Sequence, residues 1–396
     1  LEALGAKIST EGDTVTVDPS GFLQIESPVL RCRESGSTLR FFIPLALCLG
    51  RPVTLLGSKR LLERPLEIYE ELCRENGFSF QKEENSVTVC GELKSGSYTI
   101  RGDVSSQFIT GLIFALVYRN EESLIQIQPP FESRSYVDLT ISALKDFGAD
   151  VQFTDVHTIR IRPAKLGAYS GRIEGDYSNA AFLDAFNQIG SDVHVNNLKA
   201  DSLQGDKIYK TCFAKISAGT PQVDISNCPD LGPILFALAA LKNGATFIGT
   251  DRLKAKESDR GMAMHQELEK LGGGLIFGEN SITVPKQSLQ YKGAALYGHN
   301  DHRIVMAMSV ILSQTGDIKR IPKNSFKVQR KNGKGVKTKD DVIMSTISTN
   351  TIDNLLLFTK KGRMFKIIVD EVPVGTNASK GVHVGNLINM GINDEV

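Results

Sequence analysis

Residues 253–261 read "LKAKESDRG" and set Lys254, Lys256, Glu257, Asp259 and Arg260 directly ahead of a helical run that begins at Met262. Two chemistries fit. Charges at a helix entry are ordinarily solvated, but the same residue types can form a charged claw that closes on an anion. Partners elsewhere must decide. Arg40 stands inside an apolar helix start, Arg64 in "KRLLERPLE" and Arg303 in "NDHRIVMAMS". An arginine at the start of a buried helix needs a counter-charge, and planar two-pronged recognition of carboxylate or phosphate suits it well. For Arg303, a ligand contact and a bridge to Asp301 are comparable readings on spacing alone. Asp230, in "NCPDLGPIL", is either an N-cap or a carboxylate placed to take a proton.

Polar residues also lead the apolar helices. Ser105, Ser106 and Gln107 offer hydroxyl and amide donors at one such start, and Ser35-Gly36-Ser37-Thr38 offers a close approach for an oxyanion at another. Free N–H groups and the positive dipole end of a helix favour anions there, although ordinary capping explains any one case equally well. His299 and His302 have an i, i+3 spacing, but their segment supplies no third metal ligand, so neither a metal nor a cofactor is expected. Cys32, Cys48, Cys73, Cys90, Cys212 and Cys228 lie far apart with no C-x-x-C pair, and are expected to be reduced structural thiols.

The elements that must position these groups recur along the chain. A short amphipathic helix ends in Gly and is followed by two alternating strands in "LEALGAKI…DTVTVD", "LEIYEELCRENGFSF…NSVTVC", "LTISALKDFGADVQF…HTIRIR" and "HQELEKLGGGLIFGENSITVP". The helix-ending glycines, Gly5, Gly77, Gly148 and Gly272, are 72, 71 and 124 residues apart. The last gap is nearly two periods, so a degenerate copy is expected at "YKTCFAKISAGTPQVDIS". Each Gly supplies a left-handed helix end. A second helix, apolar on most faces, precedes each copy, as in "SGSTLRFFIPLALCLG" and "DVSSQFITGLIFALVY", and this argues for burial among sheets. With 396 residues, two or three domains are expected. The 41% hydrophobic and 23% charged content, without any long apolar run, fits a soluble cytosolic protein with no membrane partner. The segment from Leu1 to Ile8 reads like the end of a helix entering a strand, and the beginning is expected to be missing.

These motifs, in this order, resemble the 5-enolpyruvylshikimate-3-phosphate synthase family from Leu1 to Gly316. "ESGSTLRFF", "RLLERPL", "VSSQF", "SRSYVDLT", "EGDYSNAAF", "LQGD", "CPD", "AKESDR" and "NDHRIVMA" are similar to the family's successive landmarks. The resemblance implies an α+β fold of two domains built from repeated βαβαββ units with buried helices, here 1–174 and 175–316. It implies that Ser105, Ser106, Gln107, Ser133 and Lys256 hold shikimate 3-phosphate, and that Gly36, Arg64, Gln107, Arg260 and Arg303 hold phosphoenolpyruvate. It further implies that Asp230 takes the hydroxyl proton, Glu257 handles the proton at C3 and His302 supports the anionic site. Three features depart from the family pattern: its opening segment is absent, its final segment is replaced after Gly316, and Glu34 stands where Asn is frequent. The expectation is an enzyme scaffold with little or no turnover.

Charge divides the chain. Residues 1–316 carry 32 basic and 37 acidic side chains, whereas 317–396 carry 14 and 8. Nine Lys or Arg and no acid lie between Ile318 and Lys339. This tail resembles part of the C-terminal β-pinwheel of the A-type DNA gyrase family, with Gln329, Arg330, Lys331 and Lys334 in a basic box and a hairpin turn at Lys361-Gly362. The resemblance implies an all-β partial pinwheel and sequence-independent DNA contact through phosphates. An alternative function is therefore a DNA-wrapping module, as in a type II topoisomerase, fused to an inactive enzyme fragment.

Overall fold

A computed structural model of the chain describes residues 1–22, 24–26, 28–289, 296–312, 317–318, 354–358, 364–374, 382–383 and 387. A 3-10 turn at Glu2–Leu4 passes through left-handed Gly5 into a hairpin of β1 (Lys7–Glu11) and β2 (Thr14–Asp18). The next unit contains β3 (Val29–Arg33), α1 (Gly36–Leu47), β4 (Val53–Gly57), a short α2 (Lys59–Glu63), α3 (Glu67–Glu75), β5 (Ser79–Lys82) and β6 (Ser86–Cys90). Its sheet has the order β3-β4-β6-β5, with the first pair parallel and the others antiparallel. The parallel pair needs a long crossover, and buried α1 provides it.

The same topology returns twice. β7 (Ser97–Arg101), α4 (Ser106–Arg119), β8 (Ser123–Gln128), α5 (Arg134–Asp146), β9 (Asp150–Phe153) and β10 (Thr158–Arg162) give the order β7-β8-β10-β9. After α6 (Tyr177–Asp184) and α7 (Tyr209–Ala218), the third sheet comprises β11 (Gln222–Asp224), β12 (Ala245–Ile248), β13 (Ile276–Gly278) and β14 (Ser281–Val284), in the order β11-β12-β14-β13. Helices α8 (Gly232–Leu241) and α9 (Arg260–Glu269) belong to this unit, and α10 (His302–Leu312) follows it. Gly5, Gly77, Gly148 and Gly272 all have positive φ, as the repeated helix ends require.

The apolar second helices are buried as their composition demands. Phe108, Ile109, Leu112, Ile113, Ala115 and Leu116 of α4 have no exposed surface. α1 and α4 approach so closely that a Cβ on Gly111 would sit 2.4 Å from the Arg40 carbonyl oxygen, which leaves room only for glycine. The Tyr69 hydroxyl donates to the carbonyls of Arg40 (2.9 Å) and Phe108 (2.8 Å), so this tight crossing leaves its buried hydroxyl satisfied. One hydrophobic core runs from Leu4 to Ile161 and a second from Tyr177 to Val310.

The degenerate copy expected at 209–226 is present in part: its helix is α7 and its strand is β11, but β11 pairs with β12 as the first strand of the following sheet, and among the described residues the copy has no second strand of its own. In the tail, β15 (Asp317–Ile318) pairs with β18 (Val382–His383), and β16 (Asn354–Phe358) pairs antiparallel with β17 (Met364–Ile368). Gln329, Arg330, Lys331, Lys334, Lys361 and Gly362 lie outside the described residues. All six cysteines are free, and among the described residues no helix is long and apolar enough to cross a membrane.

Candidate active site between the two cores

The charged stretch before α9 divides its labour. Lys254 is exposed and pairs with Asp251 at 2.8 Å, and Asp259 caps α9 by accepting from the Met262 N–H at 3.0 Å. These two are the solvated helix entry. Lys256, Glu257 and Arg260 turn inward. Arg260 is 1% exposed, and each of its guanidinium nitrogens meets a different carboxylate: NH1 donates to Asp230 Oδ1 (2.7 Å), Nε to Asp301 Oδ2 (2.9 Å) and NH2 to Glu257 Oε2 (2.8 Å). Asp230 also receives Lys256 Nζ at 3.1 Å and Arg303 NH2 at 3.3 Å. It lies in a 3-10 turn, Pro229–Leu231, and does not cap α8. The guanidinium of Arg303 thus pairs with Asp230 rather than with neighbouring Asp301, which accepts the Arg303 backbone N–H at 3.0 Å and the Ser258 hydroxyl at 3.1 Å.

The first core contributes the other wall. Ser58 caps α2 through the Leu61 N–H and donates its hydroxyl to Glu34 at 2.8 Å, so the acid that departs from the family pattern steadies the helix leading to Arg64. Arg64 is 7% exposed; its Nε donates to the Ala255 carbonyl at 3.2 Å and its NH1 lies 3.9 Å from Glu257. Arg60 donates to the carbonyls of Glu257 (3.1 Å) and Lys256 (3.2 Å). Gly36 opens α1 against Arg64, where an added Cβ would lie 2.9 Å from Arg64 NH1. Arg40 donates to Gln107 Oε1 at 2.8 Å, just inside α4, whose cap Ser105 accepts the Gln107 N–H at 3.3 Å. Ser106 is buried beside it. At the start of α5, the Ser133 N–H donates to Asn227 Oδ1 at 2.9 Å, its hydroxyl accepts from Arg252, and Tyr136 donates to Asp206 at 2.6 Å.

The electrostatics favour a bound anion. Burial, then neighbouring Arg64, push the Arg40 pKa down to about 10. Burial also lowers Arg64 against the pull of Glu257, with Arg260 adding to the effect. Lys256 is lowered by burial, opposed by Asp230 and reinforced by Arg260 and Arg252. Cations that weaken one another's hold on a proton form a site that an incoming anion relieves. Burial works to raise Asp230, yet Lys256, Arg303 and Arg260 outweigh it and hold the carboxyl well below its ordinary range. Asp206 goes the other way: burial raises it to about 6, and the hydrogen bond from Tyr136 opposes this only in part.

Asp230, Glu257, Lys256, Arg260, Arg303 and Arg64 therefore meet in one network, Gly36 lies against Arg64, and Gln107 holds Arg40. Ser133 meets the second core through Asn227 and Arg252. His302 is exposed at the first position of α10, outside that network. Asn227, Tyr136 and Asp206 lie inside the quoted motifs "NCPDLGPIL", "SRSYVDLT" and "LQGD" but were given no role, and nothing in the spacing singled out Arg252. Among the described residues no group of three or more His, Cys, Asp or Glu is arranged to hold a metal.

Known proteins resemble this chain over most of its length. The family model for EPSP synthase (3-phosphoshikimate 1-carboxyvinyltransferase) matches residues 1–321. The model for the DNA gyrase C-terminal domain, a beta-propeller, matches residues 310–348 and 353–387. The 3-phosphoshikimate 1-carboxyvinyltransferase of Clostridium kluyveri is 37% identical over 335 residues, covering 79% of this chain and 78% of that protein. That of Clostridium novyi is 37% identical over 324 residues, covering 77% and 74%. The solved EPSP synthase from Acinetobacter baumannii shares the fold with a TM-score of 0.58 at 21% identity, covering 78% of each chain.

Proposed function

The chain belongs to the EPSP synthase family, and we propose that the network between its two cores is where the enolpyruvyl group is transferred. The activity is that of a 3-phosphoshikimate 1-carboxyvinyltransferase, a transferase of the shikimate pathway of aromatic amino-acid biosynthesis. It joins the enolpyruvyl group of phosphoenolpyruvate to the 5-hydroxyl of shikimate 3-phosphate and releases phosphate. The observation that carries the site is the meeting of four cations, Arg64, Lys256, Arg260 and Arg303, with Asp230, Glu257 and Asp301.

In this reading Ser105, Ser106, Gln107, Ser133 and Lys256 hold shikimate 3-phosphate, while Gly36, Gln107, Arg64, Arg260 and Arg303 hold phosphoenolpyruvate. The 5-hydroxyl attacks C2 of the enol as C3 gains a proton from Glu257, and its own proton passes to Asp230. Loss of a proton from C3 and departure of phosphate then restore the double bond. Asp230 is too acidic for this task while three cations surround it. Substrate phosphate and carboxylate compete for those cations, so binding itself raises the proton affinity of Asp230 toward a useful range. Cations fixed around the reacting phosphate stabilise the developing charge without rearrangement. His302 is exposed outside the network, and its role in supporting the anionic end rests on the family resemblance alone.

The two separate cores support a domain limit between 1–174 and 175–316, and the gyrase-domain match supports 317–396 as a further unit. Work in the cytoplasm fits six free thiols. Non-specific DNA contact by the basic tail is supported only by the gyrase-domain match and by the cations of 318–339, and it is not the favoured function. Phosphorus NMR of the chain with both substrates tests the proposal. Inorganic phosphate and the enolpyruvyl ether should accumulate together, and Asp230→Ala should slow both at least about 100-fold. Unchanged substrates with the wild-type chain contradict it and bear out instead the expectation of a scaffold with little or no turnover, and a DNA mobility shift that weakens steeply with salt would favour the tail reading.

A further inference from the structure

Arg60 lies in α2, four residues before Arg64, and the side chains of both end on one stretch of backbone in the second core. Arg64 Nε donates to the Ala255 carbonyl at 3.2 Å, Arg60 NH2 to the Lys256 carbonyl at 3.2 Å and Arg60 Nε to the Glu257 carbonyl at 3.1 Å. Two arginines thus take three successive carbonyls. The 3-10 turn Asp251–Ala255 has ended there and α9 has not begun, and among the described residues no backbone N–H of a turn or loop donates to these oxygens. Lys256 and Glu257, whose carbonyls Arg60 holds, send their side chains into the network, to Asp230 at 3.1 Å and to Arg260 at 2.8 Å. Arg60 itself is 45% exposed, and the acid beside it is Glu63 of its own helix, 3.9 Å from NH1. A guanidinium presents Nε and NH2 as a rigid fork that suits two neighbouring carbonyls, which the single nitrogen of a lysine does not.

We propose that Arg60 is a positioning residue for the transfer: its guanidinium clamps the backbone of Lys256 and Glu257 against the first core and so aims the Lys256 ammonium and the Glu257 carboxyl. The proposal rests on the reading above, in which Glu257 handles the proton at C3 and Lys256 holds shikimate 3-phosphate. Arg60 touches neither substrate. The aim is set only where α2 lies against the loop, so both cores are needed to orient two side chains that belong to one of them. The competing role is electrostatic. Arg64, lowered first by burial, is lowered further by Arg260 and Arg60, and so exposed a cation also draws anions from solution. That field needs only a charge and is screened by salt, whereas the clamp needs the fork.

Rates of phosphate release over a range of phosphoenolpyruvate concentrations, with shikimate 3-phosphate in excess, separate the two roles in Arg60→Lys and Arg60→Ala. Both variants should lose on the order of 10-fold in kcat while KM for phosphoenolpyruvate moves by less than about twofold, at low and high salt alike, as a misaimed proton donor predicts. Wild-type kcat in Arg60→Lys, or a loss in either variant that falls on KM and fades with salt, overturns the proposal. Hydrogen exchange of the chain alone gives a second reading that needs no turnover: amides of residues 256–260 should exchange at least about threefold faster in both variants. Unchanged exchange there overturns the proposal as well. A half-exposed arginine leaves no buried charge behind, so both variants should fold; if Arg60→Ala does not, Arg60→Lys decides alone. A wild-type chain that releases no phosphate removes the substrate reading, whereas exchange in Arg60→Lys still upholds or overturns the clamp.

Discussion

Asp206 shows how much a single buried atom pair can reveal. Its carboxyl is 2% exposed, one oxygen accepts from Tyr136 and the other has no partner. With a folded pKa raised to about 6, against roughly 3.9 when unfolded, the native chain holds this proton more tightly than the unfolded chain does. Its contribution to stability is therefore most favourable below about pH 4 and is lost as pH rises through about 6. Asp206→Asn, which keeps an acceptor for Tyr136, should remove that slope and gain on the order of 2 to 3 kcal/mol above pH 6 in urea unfolding measured at several pH values. A slope identical to that of the wild type would refute the assignment. No sequence pattern announces such a group. Arg260 was conspicuous in its dense charged run, Arg64 in "KRLLERPLE" and Arg303 at the start of an apolar helix, whereas nothing in the spacing set Arg252 or Asp206 apart, and only the fold shows them buried.

Among the elements, α9 does two tasks. Arg260 and Glu267 are seven residues apart, two helical turns, so they project from the same face, and each is 1% exposed. Arg260 meets the three carboxylates, while Glu267 accepts from Lys270 Nζ (2.7 Å), the Tyr297 N–H (2.8 Å) and His299 Nε2 (2.7 Å). That grip fixes the turn at His299 and Asn300, both with positive φ, which delivers Asp301 to Arg260 and starts α10. Glu267→Ala leaves this turn without its anchor. The expected loss is about 3 kcal/mol or more, the cost of breaking a buried ion pair, with faster hydrogen exchange at the Asp301 and Arg303 amides. A change below about 1 kcal/mol with unaltered exchange would show that the turn holds itself. The repeated helix–Gly–strand–strand pattern was readable because its glycines and alternating residues are local requirements. The intermediate copy was legible in part, since helix α7 and strand β11 follow from local pattern, whereas the pairing of β11 with β12 is settled by longer-range packing.

For the molecule as a whole, the site exists only where the two cores meet. Arg60 and Arg64 of the first bind the backbone and side chain of the 255–257 loop of the second, and Ser133 and Tyr136 reach Asn227, Arg252 and Asp206. The motifs in their order and the repeat of the sheets are legible in the chain itself; which cation faces which carboxylate is settled by long-range packing. The function proposed for the chain depends on substrate anions replacing the carboxylates that pair with these cations. Titrating phosphoenolpyruvate into the chain saturated with shikimate 3-phosphate puts it to the test. Binding should weaken as salt rises, and Arg64→Ala should bind at least about tenfold more weakly than the wild type. No binding by the wild type, or an Arg64→Ala chain that binds equally well at every salt concentration, would mean that these carboxylates hold the place of no substrate.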